Sequence, residues 1–78
     1  MASPNSLLEG QMSRETLEVY RAIPRGQMNH GVLMKWGKGM TGRKGASVAQ
    51  SLKRLVKIGA IKVVSEATEG VPRIYEVP

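Results

Sequence analysis

A chain of 78 residues with no cysteine sits at the lower limit of what one unstapled core supports, so it holds a single domain without disulfides or thiolate metal sites. One His and six Glu, with no Asp, are too few parts for a protein-only metal cage or a Ser-His-Asp triad, which argues against an enzyme and calls for no cofactor. The charge is +6 and no apolar run is long enough to cross a bilayer, so the expected setting is cytoplasmic, with a polyanion rather than a membrane as partner.

Residues 1–12 carry little periodicity and read as a flexible N-terminal tail ahead of a domain over 13–78. Ser6-Leu7-Leu8-Glu9 matches a capping box, but Gly10 would end such a helix within a turn. Ser13 can cap a helix in which Leu17, Tyr20 and Ile23, widened by Thr16 and Val19, form the buried stripe, and Pro24 stops it. Behind a possible Asn29 cap, Met28, Val32, Leu33 and Trp36 have helical spacing, so a second helix is expected with Trp36 filling the core.

The stretch from Gly37 to Gly45 holds four Gly and three basic residues (Lys38, Arg43, Lys44). A phosphate-binding P-loop fails here, because Gly42 leads into Arg43-Lys44 where that pattern needs Gly-Lys followed by Ser or Thr. The stretch reads as a flexible basic turn, either tracking a phosphate chain or simply solvated. From Ala46 to Ile58 the pattern is strongest: Val48, Leu52, Leu55 and Ile58 mark the buried side, and Gly59 follows as the left-handed closing residue. At about 100° per residue the opposite face presents Ser47, Gln50, Arg54 and Lys57, with Ser51 and Lys53 on its shoulders. Ala60 to Val64 and Arg73 to Val77 read as two strands joined by a turn at Glu69-Gly70, which closes a hairpin.

Charge is distributed unevenly along these elements. Between Val19 and Ser65 there are ten basic residues and no carboxylate, while all six Glu lie outside that interval. A solvated surface normally mixes the signs, so the interval points to nucleic acid; the plainer alternative is a generically basic small protein.

Helix, helix, Gly-containing turn, helix and hairpin, with Ser47-Val48-Ala49-Gln50-Ser51-Leu52-Lys53-Arg54-Leu55 leading to the exit Gly59-Ala60-Ile61, resembles the winged helix-turn-helix domain of bacterial, plasmid and phage regulators. Arg73-Ile74-Tyr75-Glu76-Val77 likewise resembles the second wing strand of that family. The resemblance covers about Ser13 to Val77. It implies a small α+β fold, three helices followed by a β-hairpin wing, whose third helix enters the major groove of double-stranded DNA. Carried over by position, it places Ser47, Gln50 and Ser51 toward bases and Lys53, Arg54 and Lys57 toward phosphates. Lys38, Arg43 and Lys44 of the preceding basic loop complete the expected DNA-binding set, as phosphate contacts beside the helix N-terminus.

The connection from Trp36 to Ala46 exceeds the family's tight turn and reads as an insertion. The implied role is a small transcriptional regulator or a plasmid or phage DNA-transaction factor. Two other readings stand beside it. Glu66 and Glu69 at the wing tip favour a winged-helix protein-interaction module without DNA contact. The charge equally admits an RNA-binding winged helix; stacking aromatics would favour it, whereas Tyr20, Trp36 and Tyr75 all read as core. A single module covers only about 600–1,000 Å² of DNA surface, so specificity would call for a homodimer, repeated sites or a partner protein.

Overall fold

Ser13 opens the first helix, α1 (Arg14–Ala22), in the computed structural model, which describes residues 9–78. The Ser13 Oγ accepts the Thr16 amide at 3.3 Å, and Glu15 lies in the positive first turn. Ile23 leaves the helix in an extended conformation, in keeping with Pro24 behind it. Thr16, Val19, Tyr20 and Ile23 are buried and Leu17 is half-buried. The capping-box residues Ser6, Leu7 and Leu8 lie outside the described residues. Gly10 and Gln11 form a turn, with the Met12 amide donating to the Glu9 carbonyl at 3.0 Å and the Met12 side chain packed against the core.

A short strand, β1 (Gly26–Asn29), follows where the sequence pattern had run Met28 into a helix. It is created by long-range pairing: Met28 sits opposite Tyr75, and Asn29 opposite Ile74. Asn29 does cap the next helix, α2 (His30–Thr41), accepting the Val32 amide at 2.9 Å.

That helix corrects two expectations. It runs through Gly37 and Gly39 to Thr41, so the supposed basic loop shrinks to Gly42-Arg43-Lys44, and the insertion expected before Ala46 does not exist. Its inward residues are Leu33 and Gly37; Trp36 is 45 % exposed, not a core filler. Gly37 explains both. A Cβ there would come within 2.6 Å of Val48 Cγ1, so the glycine that lowers helix propensity lets two helices approach, and contact outweighs a propensity cost of about 1 kcal/mol.

Gly42, left-handed at φ 71°, ends α2, and α3 (Gly45–Lys57) starts three residues later. Val48, Leu52 and Leu55 are buried as their spacing predicts, Ile58 is half-buried, and Gly59 takes the expected left-handed turn at φ 81°. Strands β2 (Lys62–Ser65) and β3 (Ile74–Val77) then complete a three-stranded antiparallel sheet in the order β1-β3-β2.

The fold is therefore α+β, with three helices and one sheet among the described residues. Its core combines Val19, Tyr20 and Ile23 of α1, Leu33 of α2 and Val48, Leu52 and Leu55 of α3 with Ala60, Ile61, Tyr75 and Val77. None of the described helices is long and apolar enough to cross a membrane.

Candidate nucleic-acid interface

The buried row of α3 turns its other side outward as a unit. Gln50, Lys53, Arg54 and Lys57 are exposed and share one shallow groove of about 390 Å³. Ser47 is half-buried and, with Gln50 and Arg54, also borders a polar groove of about 210 Å³ against Ser13, Glu15 and Thr16 of α1.

Ser51 departs from expectation. It is only 5 % exposed, because its shoulder of α3 is the one that α1 packs over; helical angle alone leaves open which shoulder a neighbouring helix will cover. A side chain so placed is not presented to a base edge.

Arg43 departs further. Its guanidinium donates from Nε at 3.1 Å and from Nη2 at 2.8 Å to Oε2 of Glu18, and Nη1 lies 3.8 Å from Oε1 of Glu15. Expected at a phosphate, it instead ties the α2–α3 turn back to α1. Glu18 is 25 residues away in sequence, so a charge count along the chain could not show the pairing, although Glu18 directly precedes the basic interval.

The remaining cations gather around α3. Lys44 is exposed at the N-cap of α3, whose first turn has no acid and no side-chain cap, so the partial positive charge of the helix end is uncompensated by any side chain there. Lys38 sits on the last turn of α2, and its Cδ and Nζ lie 3.8 and 3.9 Å from where a Cβ on Gly45 would be, laying the side chain across the start of α3. Among the described residues, no carboxylate lies within ion-pair distance of Lys38, Lys44, Lys53, Arg54 or Lys57. Five of the six Glu side chains are engaged elsewhere: Glu9 with Arg21, Glu15 and Glu18 with Arg43, Glu66 with Arg73, and Glu76 with the Gln27 amide.

Comparison with protein-family models, curated proteins and solved structures gives no match. The site's chemistry therefore rests on its own residues.

The hairpin between β2 and β3 has a different character. Arg73 donates to Glu66 at 3.0 Å and its guanidinium lies 6.0 Å from the centre of the Tyr75 ring. Tyr75 first, and Glu66 after it, hold the Arg73 guanidinium above its ordinary value. This cation is already paired, and Glu69 adds negative charge at the tip.

Proposed function

We propose that the chain is a winged-helix domain that binds double-stranded DNA through α3. The observation that carries this reading is the segregation of charge: five cations around α3 have no described carboxylate within ion-pair distance, and Glu15, the one acid that borders the α3 groove, is paired with Arg43. The three-residue, Gly-containing connection between α2 and α3 supports it, being the length of a helix-turn-helix turn. In this reading α3 lies in the major groove, Gln50 reads a base edge, and Lys38, Lys44, Lys53, Arg54 and Lys57 hold phosphates. Ser47 lines the approach and Ser51 supports the helix from behind. The biological role that fits is a small transcriptional regulator or a plasmid or phage DNA-transaction factor.

A protein-interaction role is the second reading, favoured by the acidic hairpin, where Glu66 neutralises Arg73. The two separate in one titration. With five phosphate contacts at roughly 0.9 per contact, log K against log salt should fall with a slope of about −4 to −5 on random duplex. Fluorescence anisotropy across a salt series measures it, and no binding at about 50 mM salt decides for the protein-interaction reading.

A further inference from the structure

On α2, Val32, Trp36 and Met40 recur at every fourth position and are 38 %, 45 % and 65 % exposed. They form one row, about 12 Å long at 1.5 Å per residue, and with Lys35 and Gly39 they line a groove of about 510 Å³. A Cβ on Gly39 would meet nothing within 4 Å, so the groove has a notch between Trp36 and Met40 where another backbone can approach. None of its lining residues belongs to the α3 face. A Trp and a Met left side by side in water by a domain with so small a core call for a covering partner.

We infer that this row is a docking site for an acidic amphipathic helix of a partner protein, one that sets apolar side chains at i, i+4 spacing into the Val32–Met40 groove and brings Asp or Glu to Lys35. Charge complementarity selects this occupant. No residue of α2 is acidic, Lys35 stands in the groove wall, and the chain is +6 overall. A second copy fits poorly, because it would bring a second Lys35 and a second chain of charge +6 against the first. A helix laid in a groove needs only the two turns that the row provides. This inference is independent of the DNA-binding reading, since it uses a different face.

Trp36 is the chain's one tryptophan, so its emission reports on this groove alone. The test titrates the full chain with two synthetic helical peptides that share their Leu positions and carry either Glu or Lys along the flanks. The Glu peptide should blue-shift Trp36 emission saturably in the micromolar range and the Lys peptide should not. Met40→Glu should weaken the Glu peptide at least about tenfold, or roughly 1.4 kcal/mol. Lys35→Glu should reverse the preference between the peptides. Both positions are exposed, so unchanged far-UV circular dichroism is expected to accompany both effects.

No saturable shift with the Glu peptide, or an equal response to both peptides, overturns the inference. So does a shift that grows with the concentration of the chain alone, which makes a second copy the occupant. A shift produced only by anionic vesicles or by single-stranded RNA overturns it in favour of those partners. Emission that is already blue-shifted in the free chain and moves red in Leu7→Ser/Leu8→Ser makes the chain's own N-terminal segment the occupant instead.

Discussion

Neighbouring side chains around α3 differ in what their removal should do. Lys44 offers charge without a described ion-pair partner, so Lys44→Ala should weaken binding to every duplex alike and lower the salt slope by about one. Gln50 carries no charge. Gln50→Ala should leave the slope unchanged and cost about 1–3 kcal/mol on the preferred site only, measured by anisotropy on selected against random duplexes. An equal loss on both would mean that α3 serves as a phosphate rail. Arg43 belongs to neither class, because Glu18 and Glu15 already hold it. Its side chain is 26 % exposed, so Arg43→Ala should lower stability by roughly 0.2–1 kcal/mol, seen as a small fall in Tm, and should leave the salt slope almost unchanged.

At the scale of elements, the two glycines of α2 make opposite predictions. Gly37→Ala drives a methyl group into Val48 Cγ1 and should destabilise by about 1–3 kcal/mol, with partial rescue by Val48→Ala. Gly39→Ala meets open space and should stabilise by about 0.5–1 kcal/mol through helix propensity alone. Leu52→Ala, at 1 % exposure in the core, should cost about 2–5 kcal/mol; denaturant melts of the three variants rank them.

These helices also show why legibility varied along the chain. In α3 one regular stripe, Val48, Leu52 and Leu55, fixes the buried side by itself, and with it the outward position of Gln50, Lys53, Arg54 and Lys57. In α2 two rows compete. The row of large residues, Val32 and Trp36, carries the stronger apolar signal, but the helix buries Leu33 and Gly37 because only the glycine lets α3 come close. A side chain's absence is not a signal that hydrophobic periodicity contains. Strand β1 was unreadable for another reason: its four residues are exposed or half-buried, and their extended form depends on β3, some fifty residues away. The burial of Ser51 and the pairing of Arg43 depend on a distant element in the same way, since both are decided by where α1 packs.

For the whole molecule, β3 decides more than its four residues suggest. It is the middle strand, holding β1 on one side and β2 on the other, and it supplies Tyr75 and Val77 to the core. A chain cut after Arg73 should therefore lose both ladders at once, and calorimetry should show no cooperative transition even where some helical signal persists. The same arrangement sets an order of events during synthesis. At about 5–20 residues per second, β1 is finished roughly 2–10 s before Val77 is made, and through that interval β1 has no neighbour. The sheet cannot close while the domain is being translated, so the core side that Tyr75 and Val77 will cover spends those seconds as a nascent apolar surface that holdase chaperones can bind.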